Sequence, residues 1–239
     1  MSDPDNRSMT AMVEFQIRAE NTSMDAWLDE WEKRADDALH GEPETSAYAA
    51  AVNVEDDKNV LVFERYDKGD SSLQFHMKRP AHNALTETMG ARKMTKRRVM
   101  NARYADIPDY GWWSRPDSID PAKAGAIIAI LGFRFASEAQ RNTYIELTSG
   151  HADYCWENEP ETLIYSGGIV SADSDRDLDI KQGDIVFVMA CTDMAAVNKH
   201  ANDPQHLALG PKFAETIGSL EPTFLRTYRT TGKGFLWKE

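Results

Sequence analysis

The segment Glu42-Pro43-Glu44-Thr45, with Tyr48 shortly after it, recurs 117 residues later as Glu159-Pro160-Glu161-Thr162, with Tyr165 in the same place. Downstream of each copy a histidine stands four residues before a proline. These are His76 and Pro80 in HMKRP, and His200 and Pro204 in HANDP, now 124 residues apart. The seven-residue difference falls in one polar stretch, Ser171 to Asp184, which replaces the short Glu55-Asp56-Asp57-Lys58 turn. An insertion in a hairpin loop costs little closure entropy. Two matches in the same order, separated by one loop-sized insertion, therefore read as an internal duplication.

Outward from the repeat, both halves follow one order. Met12 to Arg18 alternates as a strand does, and Ala126 to Phe135 is its more apolar counterpart. A helix follows each. In the first, Met24, Trp27, Leu28, Trp31, Ala35 and Ala38 recur at helical spacing between an N-capping Ser23 and Gly41. In the second, Ser137 precedes a face of Tyr144, Leu147, His151, Tyr154 and Cys155. Strands are predicted at Thr45 to Val54 and Val60 to Tyr66, and again at Thr162 to Val170 and Ile185 to Cys191. Short helices follow, Ser71 to Met77 with His82 to Met89, and Met194 to Ala201 with Gln205 to Ile217. Final strands run from Met94 to Tyr104 and from Phe224 to Thr230.

The order β-α-β-β-α-β is the ferredoxin-like arrangement of an α+β protein, an antiparallel sheet with helices on one face. The other face is bare, and two such sheets in one chain can cover each other. The expected division is a disordered leader at 1–10, a first repeat at 11–104, a linker at 105–125 and a second repeat at 126–239. Pro108, Gly111, Pro116 and Pro121 punctuate the linker, and its Trp112-Trp113 pair is expected to cover the junction between halves.

Composition bounds the function. With 41% hydrophobic and 10% aromatic residues the chain has the makings of a packed core. A formal charge of -12 repels phosphate backbones and anionic lipid, so neither nucleic acid nor a membrane surface is an expected partner. No apolar run approaches the length of a membrane span. Cys155 and Cys191 form neither a disulfide framework nor a metal-ligand spacing, and the chain reads as cytoplasmic. GxGxxG, P-loop, HExxH and GxSxG motifs are all missing, so no cofactor and no metal is expected. The basic run Arg92-Lys93-Met94-Thr95-Lys96-Arg97-Arg98 reads as a solvated strand edge that discourages edge-to-edge pairing.

The sequence Val62-Phe63-Glu64-Arg65-Tyr66-Asp67, followed by His76 and Pro80, resembles the antibiotic biosynthesis monooxygenase family of dimeric α+β barrels. Its members commonly show Glu-x-Tyr on that strand and a histidine one short helix later. The resemblance spans roughly 12–104 and 126–230, and it is thinner in the second half, where Val188 stands in place of Glu64. It implies two βαββαβ repeats forming an intramolecular dimeric α+β barrel, a pseudo-dimer that either stands alone or assembles further. It also implies a choice among cofactor-free oxygenation of aromatic polyketides, haem degradation, and cyclisation or isomerisation. Haem-degrading members share an asparagine on the first strand, and neither first strand here has one.

The pocket of such a repeat lies between helices and sheet. The first helices align Trp27 with Tyr144, Trp31 with Thr148, and Arg34 with His151. Each places one ionisable group in an apolar or aromatic stripe. His151 could remove a phenolic or carbon-acid proton, and Arg34 could stabilise the resulting oxyanion. Trp27, Trp31, Tyr144 and Tyr66 are candidate stacking residues for a flat substrate, with core packing as the alternative. For Arg34 the alternative is an exposed ion pair with Glu30. His76 and His200, matched across the repeat, are candidates for base or substrate donor, or for a structural bond to backbone. His82 and His206 align too, and read as openers of the following helix. The expected function is a cofactor-independent monooxygenase-type enzyme on an aromatic, polyketide-like small molecule of secondary metabolism. The alternatives are a cyclase or isomerase on such a substrate, or a non-catalytic binder of a hydrophobic metabolite.

Overall fold

Each EPET copy is the hinge where a long helix stops and a strand begins. In the computed structural model, which describes residues 7–174, 176–218 and 220–238, helix α1 (Met24–Gly41) and helix α5 (Glu138–Asn158) both end one residue before the repeated glutamate. The Glu42 N–H donates to Ala38 O, and the Glu159 N–H donates to Cys155 O, closing the last turn. Pro43 and Pro160 lack the N–H that another turn would need. Thr45 and Thr162 then open strands β2 (Thr45–Asn53) and β6 (Thr162–Val170). At the other ends, Ser23 caps Ala26 N and Ser137 caps Gln140 N, as the sequence suggests.

The first half holds β1 (Met9–Ile17), α1, β2, β3 (Asn59–Tyr66), α2 (Gly69–Met77), α3 (Pro80–Ala91) and β4 (Thr95–Asp106). After the one-turn α4 (Pro121–Ala124), the second holds β5 (Ile127–Phe133), α5, β6, β7 (Ile185–Cys191), α6 (Met194–Ala201), α7 (Pro204–Leu207), α8 (Leu209–Thr216) and β8 (Phe224–Phe235). All pairings are antiparallel. The strand order is β1-β3-β2-β8-β5-β7-β6-β4, and β4 also pairs with β1, so the sheet closes on itself.

The expected dimeric α+β barrel of two discrete βαββαβ units therefore needs correction. The halves do not carry separate sheets that face each other. β8 of the second half hydrogen-bonds to β2 of the first, and β4 to β6, giving one continuous eight-stranded sheet. The second helix of the motif is in two pieces in the first half, as expected, and in three in the second, where the expected Gln205 to Ile217 helix is broken into α7 and α8. The two seams differ: β4 and β6 share only three residue pairs, Tyr104 to Asp106 against Val170 to Gly168.

The inserted stretch after β6 finishes that seam, so it is more than a loose hairpin loop. Ser171 N donates to Arg103 O and Asp177 N to Val99 O, while Ile180 is buried in the interior. Arg97 pairs with Asp177 and Arg92 with Glu30. The basic run is thus no free edge: β4 is bonded to β1 on one side and covered on the other.

Apolar clusters on both faces follow from the alternation of the strands. Met12, Leu61, Phe63, Met100, Ile128, Val186 and Tyr228 belong to the interior cluster. On the outer face, α1 packs Trp27, Trp31 and Ala35 against Tyr48, Val60 and Val62, and α5 packs Ala152 and Cys155 against Tyr165, Phe187 and Met189. The linker is pinned at the junction. Trp112 stacks on Tyr165 at 5.5 Å, and Trp113 stacks on Phe63 at 5.4 Å while its indole N–H donates to Leu236 O. Gly111 sits at φ +66, and a Cβ there would lie 2.0 Å from Tyr165 O, so this approach requires glycine. Of the predicted leader, residues 1–6 lie outside the described residues, whereas Met9 and Thr10 already belong to β1. No helix among the described residues is long and apolar enough to cross a membrane.

Candidate active site

The repeat positions two histidine–carboxylate pairs. His76 on α2 sets Nδ1 2.9 Å from Glu42 Oε2, and His200 on α6 sets Nδ1 2.8 Å from Glu159 Oε2. Each carboxylate also accepts from the threonine three residues on, Thr45 at 2.7 Å and Thr162 at 3.0 Å. All four histidine and glutamate side chains are buried. The surroundings of the two pairs are what separates the halves.

In the first half the space is filled. The Arg34 side chain is 0% exposed; its guanidinium contacts Glu42, lies 2.7 Å from His76 Nδ1 and donates to Asp37 at 2.9 Å. This rules out the alternative of an exposed pair with Glu30, which instead binds Lys33 and Arg92. It also removes Arg34 from any substrate-facing role, because its charge is consumed inside the protein. Trp31 stacks on Tyr48 at 4.8 Å, and Trp27 donates to Thr95 Oγ1. Tyr66 is buried with its hydroxyl donating to Glu64 at 2.7 Å. Trp27, Trp31 and Tyr66 are core residues here rather than a stacking platform, and His76 is enclosed with them. Burial by itself would raise the Glu42 carboxyl. The hydrogen bond and charge of His76, with Thr45 and Arg34, more than offset this and hold it down at about 2.

In the second half the same place is open. Where Trp31 fills the first half, the aligned residue is Thr148, whose hydroxyl accepts from Tyr110 at 2.8 Å and donates to Tyr144 O. Without the indole, a cavity of about 290 Å³ lies between α5, α6 to α8 and the sheet. Phe133, Tyr144, Tyr165, Phe187 and Phe213 give it an aromatic wall, and His151, His200 and His206 stand along it. Phe213 stacks on Tyr144 at 5.4 Å, so α8 roofs the chamber. Leu225, 55% exposed, marks its mouth. A larger groove of about 640 Å³ runs past His40, Ile119, Lys123 and Trp237 on the surface, but it contains no histidine–carboxylate pair.

The electrostatics of this chamber favour the neutral forms of His151 and His206. Burial lowers His151 to about 4, with the neighbouring His200 and His206 adding to the effect, and burial likewise lowers His206. Glu159 is lowered although burial opposes it, because His200 and Thr162 bond its charged form. Cys155 Sγ sits 3.5 Å from His151 Nε2 and 3.7 Å from His200 Nδ1, and burial pushes the thiol far above its ordinary range. It is no nucleophile in this state. In the tautomer that donates Nδ1–H to Glu159, 2.8 Å away, His200 has its Nε2 lone pair free, the form of a general base oriented by a carboxylate.

Of the sequence-predicted site residues, the structure brings together His151, His200 and Tyr144 around one cavity. Arg34, His76, Trp27, Trp31 and Tyr66 lie in the other half. Three contributors are not among the sequence-predicted site residues. Glu159 enters there only as a repeat marker, although its recurrence alongside His200 is the available signal. His206 reads as a helix opener, yet its ring lies 4.5 Å from that of His200. Cys155 falls on the correct helix face, but helical spacing connects it to no partner.

Comparisons with known proteins agree with the fold and stop short of an activity. The family model for antibiotic biosynthesis monooxygenases matches residues 8–88. The expected family resemblance over both halves is thereby corrected to a match within the first. No curated protein matches the chain in sequence. Among solved structures, a proposed monooxygenase of Fusobacterium nucleatum subsp. nucleatum superimposes with a TM-score of 0.72 at 11% identity, covering 98% of both chains. A proposed monooxygenase of Lactobacillus acidophilus NCFM gives 0.70 at 10% identity, covering 97% of both. An anthrone oxidase-like protein gives 0.57 at 11% identity over 95% of this chain and 92% of its own. At such identities the likeness is one of fold.

Proposed function

We propose that the chain is a cofactor-independent, oxygen-using enzyme that takes a compact aromatic, polyketide-like substrate into the second-half cavity. The observation that carries this reading is the free imidazole of His200, held by Glu159, at the edge of an aromatic-walled chamber. The architectural likeness to two proteins described as monooxygenases and to an anthrone oxidase-like protein supports it, as does the family match over 8–88.

In the proposed reaction His200 Nε2 takes a proton from an anthrone-type methylene, whose carbanion is delocalised over the ring system. The carbanion gives its electron pair to O2, forming a C–O bond, and the peroxide so formed is protonated by the His200 imidazolium. Loss of water from the hydroperoxide leaves a carbonyl. One oxygen atom of O2 ends in the product and the other in water, with the methylene as reductant. The aromatic wall positions the flat substrate, and Glu159 orients the His200 ring toward it.

The test is oxygen uptake with anthrone as substrate. One O2 consumed per anthrone, with a product that has gained one oxygen atom and lost two hydrogens, is the expected result. Anthrone that binds without oxygen uptake overturns the oxygenase reading. A product of unchanged mass would assign the same cavity to isomerisation.

A further inference from the structure

We propose that His151, His200 and His206 form a binding site for one divalent transition-metal ion at the wall of the second-half cavity. One ligand atom from each of the three residues lies within 4.8 Å of the others. The residues come from three separate helices, α5, α6 and α7, so the cluster is a product of the tertiary fold and not of a local sequence spacing. Two ligands at about 2.1 Å from one ion stand no more than about 4.2 Å apart, and coordination therefore requires the rings to draw in. His206, half-buried on a four-residue helix, has the freedom to do so. Its Nδ1 is buried and has no hydrogen-bond partner among the described residues.

The shell around the trio suits a metal. His200 bonds Glu159 through Nδ1, the carboxylate–histidine arrangement that orients a ligand imidazole and raises its basicity. Imidazole donors select zinc, cobalt, nickel, copper or iron over calcium and magnesium. Three histidines on one side of a cavity leave coordination positions open toward it.

The first half provides an internal control. It retains His76 and His82, with rings 5.4 Å apart, but Arg34 stands where His151 would be, with its guanidinium 2.7 Å from His76 Nδ1. A fixed cation there repels a dication, so one ion per chain is expected. An ion on His200 Nε2 would occupy the lone pair assigned above to proton removal, so metal occupancy and base action exclude one another. That consequence rests on the proposed function; the binding itself does not.

The test is titration of the chelator-treated full chain with Co²⁺, read by visible d–d absorption and by equilibrium dialysis, in the absence of any substrate. One saturable site per chain is expected, weakened about tenfold or more in His206→Gln and in His151→Gln and unchanged in His82→Gln. Should His151→Gln fail to fold, the half-buried His206→Gln decides alone. The proposal is overturned by the lack of a saturable site, by binding that His206→Gln leaves intact, or by equal loss in His82→Gln. Since no turnover is measured, failure here leaves the oxygen-uptake test untouched.

Discussion

Replacing Glu42 by glutamine is expected to destabilise the folded chain by about 3–5 kcal/mol, the range for breaking a buried ion pair from one side. The change strands the Arg34 guanidinium, which is fully enclosed and retains only Asp37 as a carboxylate partner. It also turns one of the two accepting oxygens, Oε1 bonded by Arg34 or Oε2 bonded by His76 and Thr45, into an amide donor. The acid limb of stability should change with it. Glu42 titrates at about 2 in the folded chain against an ordinary 4.5, so its contribution is complete above 4.5 and is lost as pH falls toward 2. That displacement corresponds to about 3 kcal/mol. Wild type should therefore lose stability through this window, while the glutamine variant, already destabilised, should lack this component. Denaturant unfolding of both proteins at neutral pH and at pH values within the window measures each effect. A neutral-pH loss below about 1 kcal/mol would show that the buried Arg34–Glu42–His76 cluster does not hold the first half together. Glu159→Gln should cost less, because the Glu159 carboxylate bonds an imidazole and a threonine, and the nearby Arg115 guanidinium bonds only its backbone carbonyl.

Replacing His200 by glutamine should cost about 10²- to 10⁴-fold in turnover, the usual contribution of a positioned general base. The substituted amide could still donate to Glu159 Oε2 but has no lone pair basic enough to accept the substrate proton. His76→Gln is the matched comparison. It alters the same repeat position in the closed half, where any loss should appear in the melting temperature rather than in turnover at a temperature where the variant is folded. Steady-state oxygen uptake by both variants, beside their melting curves, separates the roles. Equal turnover loss in the two would contradict the assignment of chemistry to one half.

Much of the architecture can be read from the residues, because the repeat fixes element order and capping residues fix element ends. Ser23, Ser137 and the two prolines after the repeated glutamates act locally, through backbone bonds that the sequence displays directly. The joining of β2 to β8 and β4 to β6 is less accessible. Edge strands carry no local mark of a partner far away along the chain, and the insertion that covers the β4 seam reads as an ordinary polar loop.

The same contrast runs through the site. Helix periodicity places Arg34 and His151 on equivalent inward faces, but a face does not reveal whether its space is filled. The answer lies in the pair Trp31 and Thr148: an indole closes one half, and a threonine leaves room in the other. Glu42 and Glu159 look like turn residues because each sits between a helix end and a proline. Their partnership with His76 and His200 depends on α2 and α6 folding back, which no spacing along the chain encodes.

Substrate is expected in the second-half cavity. Thr148→Trp puts into that cavity the residue type that stands at the aligned position of the first half, Trp31. Anthrone-dependent oxygen uptake should disappear in a variant that still folds, with a melting temperature lowered by the loss of the buried Tyr110 hydrogen bond to Thr148. Full uptake in a folded Thr148→Trp variant would contradict the account.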